Sequence, residues 1–320
     1  MISRGRLPAL SWLALTAIYS TAAAASTGIQ GPITYGLTPG THRIYTVKAL
    51  FDGRFPPFDQ PGNPPVHLAA LLTYDAHVLS SNNEGATVSF TVTHADINLI
   101  ANRIKLDAKP DPNNEIPYPI DLHTVQSALD SEVILRPDGS IARVLSKSSN
   151  LIKVNIGFDL RKLFTLMMPV VFPGAGVAPV ATWSNDTGVI GSSPASVHYT
   201  TTLTRANAHA QGLTLSLTQA AQSNISDTLN AAGESTSNAT KAVTKLAGTV
   251  DLKSTMQFVS TSPSAANTVE LARGRYDLTV HLTRAPVSAK AKSEDAQFQS
   301  GPIDVTGRML VILGKHESKS

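Results

Sequence analysis

Residues 159–183 read DLRKLFTLMMPVVFPGAGVAPVATW, and the rest of the chain is best understood outward from them. Asp159 suits a helix N-cap, because its carboxylate can accept from the free N–H groups of a first turn. Leu160, Leu163, Phe164, Met167 and Met168 then fall on one helical face, with Arg161 and Lys162 off it. Pro169 ends the run, since it lacks an N–H and biases the residue before it away from helix. The spacing therefore predicts a short helix over 159–168. Alone it would be unstable in water. It needs a packed face, at ~1.5–3 kcal/mol for each large side chain fully buried. A proline-rich connector, with Pro169, Pro173 and Pro179, follows and leads to Trp183.

The natural partner is a sheet, because the flanks read as strands. Upstream, 41–51 is strand-like and leads into a loop with Pro56, Pro57, Pro61, Pro64 and Pro65. Strands over 66–80 and 86–99 flank Asn82-Asn83-Glu84-Gly85, a hairpin turn. The second alternates Val88, Phe90 and Val92 against Thr87, Ser89, Thr91 and Thr93, as for a strand with one buried and one wet face. A second proline loop covers 107–121. Strands over 123–136 and 140–147 then flank Pro137-Asp138-Gly139, where proline sets the turn and glycine permits a positive φ. Downstream, Val197, Tyr199, Thr201 and Leu203 alternate with His198, Thr200, Thr202 and Thr204, and Leu213, Leu215 and Leu217 with Thr214, Ser216 and Thr218. The Ala-, Ser- and Thr-rich 227–247 reads as an excursion, partly helical at 240–246. Strands follow over 249–260, 268–284 and 303–313.

The expected fold is mainly β: a long, curved, predominantly antiparallel sheet, a half-barrel or incomplete barrel, with one short helix packed on its concave side. A β-sandwich is the alternative. One domain over 26–314 is expected, built from strand sets at 41–147 and 195–314, with a polar tail at 315–320.

Arg4 and Arg6, the apolar run from Leu7 and Ala23-Ala24-Ala25 predict a secretory signal over 1–25. An extracytoplasmic, soluble product with no later membrane span is expected. The chain has no cysteine, which excludes disulfides, thiol catalysis and cysteine-bound metals. Its formal net charge is +3; without residues 1–25 there are 24 basic against 23 acidic residues, or +1. That balance gives no basic face for nucleic acid.

The order strand, Pro137-Asp138-Gly139, strand, helix, Phe172-Pro173, then Val180-x-x-Trp183 resembles a class of uncharacterised secreted bacterial β-rich proteins. In that class a similar turn and helix precede a proline-rich loop and a Gly-Asp-x-Trp-type motif; here Ala181-Thr182 stands in place of Gly-Asp. The likeness covers 131–187. More distantly, the layout resembles the LolA/LolB-type lipoprotein carriers. That resemblance implies a curved antiparallel sheet around an apolar cavity closed by helices.

No catalytic motif stands out. There is no G-x-S-x-G elbow, and Asp75, Asp96, Glu132 and Asp277 are spaced without a pattern that selects a pair. His67, His77, His94, His123, His198 and His281 fall on predicted strands without an H-x-H or H-E-x-x-H pair, and read as wet-face residues. Asp107, Asp111, Asn113, Asn114 and Glu115 lack the spacing of a calcium loop. No metal, cofactor or catalytic residue is expected. The candidate ligand pocket is Leu163, Phe164, Met167, Met168, Phe172 and Trp183, since methionine adapts to varied apolar ligands. The leading expectation is a non-enzymatic protein that binds a lipid or another apolar or amphipathic ligand in the concave face, with the helix as a lid. The alternatives are a scaffold that offers proline loops to a protein partner, and a hydrolase with dispersed carboxylates.

Overall fold

Alternation governs the structure, a computed structural model. It describes residues 29, 31–54, 65–101, 104–105, 123, 126, 129–145, 160–178, 181–187, 197–209, 212–230, 238, 242–262, 267–287 and 301–314. In β10 (Gly212–Asn230), Leu213, Leu215, Leu217, Gln219, Ala221, Ser223 and Ile225 are all buried. Thr218, Ala220, Gln222, Asn224 and Ser226, between them, are exposed. The same period of two runs through β2 (His42–Arg54), β3 (Val66–Ser81), β4 (Ala86–Ala101), β9 (Val197–His209), β11 (Ala242–Ser260), β12 (Thr268–Pro286) and β13 (Gly301–Leu313). Shorter strands are β1 (Thr34–Tyr35), β5 (Ile104–Lys105), β6 (Ser131–Leu135), β7 (Ile141–Val144) and β8 (Thr182–Thr187).

These form one thirteen-stranded sheet in the order β7-β6-β4-β3-β2-β13-β12-β11-β10-β9-β8, with β5 beside β4 and β1 beside β12. Every ladder is antiparallel except β1–β12. The two expected strand sets meet where β2 pairs β13. Among the described residues β7 and β8 do not pair, so the sheet is not closed into a barrel.

The sheet is strongly curled, and β1 shows why. Thr34 pairs with Thr268 at the start of β12, while the Tyr35 N–H donates to the Pro137 carbonyl in the β6–β7 turn at 2.7 Å. Five ladder steps separate β12 from β6, about 24 Å on a flat sheet at ~4.8 Å per step. A two-residue strand reaches both, so the sheet has wrapped round to bring them together. Gly139 makes this possible: its φ is +91°, and a Cβ there would lie 2.4 Å from the Tyr35 ring and 2.5 Å from the Val170 carbonyl.

Two of the sheet's register shifts are bulges at a threonine. Thr93 is the extra residue between the Tyr74–Val92 and Thr73–His94 pairs, and Thr204 between Leu217–Leu203 and Ser216–Arg205. Each threonine hydroxyl donates to the carbonyl opposite, Thr73 at 3.3 Å and Ser216 at 2.9 Å.

Several local expectations are corrected. The 159–168 helix is a 3₁₀ helix over Leu160–Leu166, and it gives way to an irregular strap. Thr165 and Leu166 are buried along with Phe164, Met167 and Met168, so the segment is surrounded rather than one-sided. The expected strand over 123–136 is a strand only from Ser131; His123, Gln126 and Leu129 are helical. That helical turn caps a neighbouring strand. Gln126 Nε2 donates to the Val92 carbonyl at 2.7 Å, and Asp130 accepts from the Val92 N–H at 2.8 Å. Together they satisfy β4 just beyond Phe90, where its ladder to β6 stops. The described ends of the 227–247 excursion are instead paired strand, 227–230 in β10 against 242–247 in β11 with Asp227 opposite Leu246, so 242–246 is strand rather than helix, and most of 231–241 lies outside the described residues. The second strand set begins earlier than the expected 195, with β8 at Thr182–Thr187 carrying Trp183. The signal segment, Asp159 and most of both proline loops lie outside the described residues.

Candidate functional site

The concave face divides at one row of side chains. Ladder register aligns Trp183, Thr201, Gln219, Ser254, Tyr276, Met309, Ala49, Ala70 and Ile97 across the sheet. At and below this row the face is occupied by the strap, residues 160–178.

The strap has no ladder to satisfy its buried backbone groups, so side chains of the sheet supply the donors. Tyr276 donates to the Leu166 carbonyl at 2.8 Å. Gln219 donates to Pro169 at 3.2 Å and to the Thr201 hydroxyl at 3.1 Å. The Tyr35 hydroxyl donates to Val170 O at 2.9 Å and accepts from Val170 N–H at 3.2 Å. The Trp183 indole donates to Val171 O at 2.8 Å. The Phe172 N–H donates to Asp138 O at 2.8 Å. Aromatic packing reinforces these links: Phe164 stacks on Phe90 with centroids 5.2 Å apart, and Phe172 lies 5.4 Å from both Tyr35 and Phe258 and 6.4 Å from Trp183.

The six candidate pocket residues are thus brought together. Phe164, Met167, Met168 and Phe172 are buried, and Leu163 and Trp183 are partly buried against the same core. They form the packed interior of an anchored plug, tied by five polar links to four strands and a turn.

Above the dividing row the character changes. Three successive inward rows read Asn185, Tyr199, Ala221, Leu252, Leu278, Gly307, Phe51, Leu68; then Ser223, Val250, Val280, Val305, Gly53, Val66; then Ile225, Gly248, Leu282, Ile303. Ser223 carries the one polar side chain of the part from β10 to β3, while Tyr199 and Asn185 put a hydroxyl and an amide at the β8–β9 end of the first row. From the first row to the third is about 13 Å along the strands, at ~3.3 Å per residue, and from β10 to β3 the first row crosses six strands, about 24 Å at ~4.8 Å per step. None of the strap's polar links reaches them. Arg284 lies buried beyond the last row, and burial lowers its pKa to about 10.

The sequence reading missed both halves of this division. The strap anchors Gln219 and Tyr276 interrupt otherwise apolar inward series, which was the available signal. The upper rows were visible as alternation but not as one surface, because that requires the register.

The concave face also holds hydroxyls without partners. The side-chain oxygens of Tyr45, Tyr74, Tyr199 and Ser254 are buried and accept or donate no hydrogen bond among the described residues. Burial raises the pKa of Tyr35, Tyr45, Tyr74, Tyr199 and Tyr276 well above the ordinary tyrosine value. At the lower end Arg43 is buried and ion-paired with Glu270 at 2.6 Å. The dispersed carboxylates lie on the outward side of separate strands: Asp75 bonds His42, and Asp277 bonds Arg308 at 3.1 Å. Among the described residues no group of three or more His, Cys, Asp or Glu is placed to hold a metal ion, and no helix is long and apolar enough to cross a membrane.

No protein family and no curated protein matches this chain. Among solved structures, one of lipovitellin, described by its lipid–protein interactions, aligns with a TM-score of 0.51 and 13% identity over 87% of this chain. This chain spans 25% of the length of that one. A Salmonella typhi OmpF structure in complex with daunomycin aligns with a TM-score of 0.20 and 7% identity, over 86% of this chain and 98% of that one, and carries no argument. That likeness to lipovitellin is one of fold alone.

Proposed function

We propose that this chain is a non-enzymatic protein that binds an apolar or amphipathic ligand, of lipid type, against the upper rows of its concave face. The observation that carries the reading is the contrast along the face. The lower rows supply polar anchors to the strap, whereas the three upper rows, from β10 to β3, are aliphatic and aromatic apart from the Ser223 hydroxyl, and most of their side chains are buried. Across the six strands the rows run about 24 Å, sufficient for one acyl chain, since a single leaflet is about 15 Å, half of a ~30 Å hydrocarbon core. The lipovitellin likeness supports the same direction through fold alone. An extracytoplasmic setting, expected from residues 1–25, fits a carrier of such ligands.

On this reading the strap is a fixed floor rather than a lid, because opening it would leave several buried carbonyls without donors, at ~1–3 kcal/mol each. The test is a titration with a fluorescent long-chain fatty acid on the parent chain and on Ala221→Trp, which puts a large side chain into the first upper row. The parent binds and the variant binds at least tenfold more weakly, with unchanged near-UV circular dichroism. Equal binding by the two would place the ligand elsewhere.

A further inference from the structure

We propose that His42 and His77, on the outer face of the sheet, form a two-histidine chelate for a divalent transition-metal ion of the zinc, nickel or copper class. The two residues face each other directly in the β2–β3 ladder. Val78 N–H donates to the Thr41 carbonyl at 2.9 Å, which makes the next pair, His42–His77, a non-hydrogen-bonded one. Side chains approach most closely at such pairs. The rings are stacked, with centroids 3.7 Å apart and planes 17° from parallel, and both remain accessible to solvent.

Asp75 prepares the first ligand. His42 Nδ1 lies 3.0 and 3.2 Å from the two Asp75 carboxylate oxygens. Nδ1 therefore carries the proton and Nε2 keeps its lone pair, the second-sphere arrangement that orients metal-binding histidines and raises their basicity. Metal–nitrogen bonds of ~2.0–2.1 Å in a tetrahedral site place two nitrogens roughly 3.3 Å apart. The stacked rings hold their in-plane lone pairs nearly parallel, so metal binding unstacks them, the His77 ring swinging about χ1 and its broad χ2 until its nitrogen and His42 Nε2 converge on the ion. Glu132, on the same outer row beyond Ser89, adds negative charge to the neighbourhood. Water completes the coordination, so the site is open and takes imidazole-seeking metals rather than magnesium or calcium.

The sheet supplies its own controls. His67–Asp52, His198–Asp186 and His281–Asp304 repeat the histidine–carboxylate pair across a ladder step, but none faces a second histidine in register.

The experiment is calorimetric titration of the full chain, carrying no histidine tag, with zinc chloride and then copper sulfate. One equivalent binds, copper more tightly than zinc. His42→Ala and His77→Ala each weaken binding at least tenfold, Asp75→Asn weakens it about 10- to 100-fold, and His281→Ala leaves it unchanged. Intrinsic tryptophan fluorescence reports that each variant is folded, and the near-isosteric His77→Gln replaces His77→Ala if that variant is not. No zinc binding at millimolar concentration overturns the assignment. So does binding unchanged in the His42→Ala/His77→Ala double variant, or lost equally in His281→Ala.

Discussion

One chemical change, tyrosine to phenylalanine, has opposite consequences at different points of the concave face, and the structure decides which. At Tyr276 the hydroxyl donates to the buried Leu166 carbonyl at 2.8 Å. Its ring lies over Gly274, where an added Cβ would fall 2.5 Å from the hydroxyl, so the side chain is directed along its strand toward the strap. Removing the hydroxyl leaves a buried carbonyl without a donor, and Tyr276→Phe loses ~1–3 kcal/mol. At Tyr199 the side chain is equally buried, but the hydroxyl has no partner among the described residues. Tyr199→Phe removes a desolvated polar atom and makes no new vacancy, so stability stays level or rises by up to ~2 kcal/mol. The two variants differ by at least ~1 kcal/mol, or roughly 2 °C in Tm for a chain of this size. Tyr35→Phe breaks two contacts, to Val170 O and from Val170 N–H, and is the most damaging of the three. Urea unfolding followed by far-UV circular dichroism, with the slope checked for constancy, measures each. If Tyr276→Phe and Tyr199→Phe agree within ~0.5 kcal/mol, the anchored-strap account is wrong.

Other predictions follow from the same geometry. Gly139→Ala puts a Cβ at a φ of +91° and 2.4 Å from the Tyr35 ring, so it destabilises by more than ~2 kcal/mol and loosens strap and β1 together, read as lost hydrogen-exchange protection at Tyr35 and Phe172. Alkaline pH acts through the five buried tyrosines. Their folded hydroxyls hold protons to higher pH than unfolded ones, which ionise near pH 10, so their stabilising effect is intact below pH ~10 and is lost as pH rises above it. Arg284 opposes them with the other sign, since its folded pKa of about 10 favours the folded state as pH climbs further. Net loss wins, five groups against one, and absorbance at 295 nm should show these tyrosines ionising only as the sheet unfolds; gradual ionisation in a folded chain would contradict their burial.

Much of the sheet was legible because alternation is a local signal. Leu213, Leu215 and Leu217 announce their inward face, and Asn82 to Gly85 announce their turn, where Asn82 Oδ1 accepts from the Glu84 N–H at 2.8 Å. The strap misled the reading for a physical reason. The spacing from Leu160 to Met168 satisfies a helix only if Thr165 and Leu166 face water, and both are buried. A segment enclosed by a curled sheet has its carbonyls satisfied by Tyr276, Gln219, Tyr35 and Trp183, residues from 12 to 135 positions away. No local window contains that information. The six candidate pocket residues do meet in one apolar cluster. Their place as floor rather than wall depends on which row of the sheet they meet, and that is set by register.

The helical turn at His123, Gln126 and Leu129 carries the same lesson. Its residues are held by the need to cap Val92 at a break in the ladder, a requirement that arises only once β6 is known to stop at Ser131. Bulges at Thr93 and Thr204 shift the inward phase of β4 and β9, so alternation read from one end of either strand fails at the other.

Native mass spectrometry of the full chain, purified gently from its own compartment, tests the ligand reading most directly. The expected result is a reproducible added mass that organic solvent releases as a lipid-type molecule, and that Ala221→Trp loses while still folded. A bare chain that also fails to take up a long-chain fatty acid on incubation would contradict it.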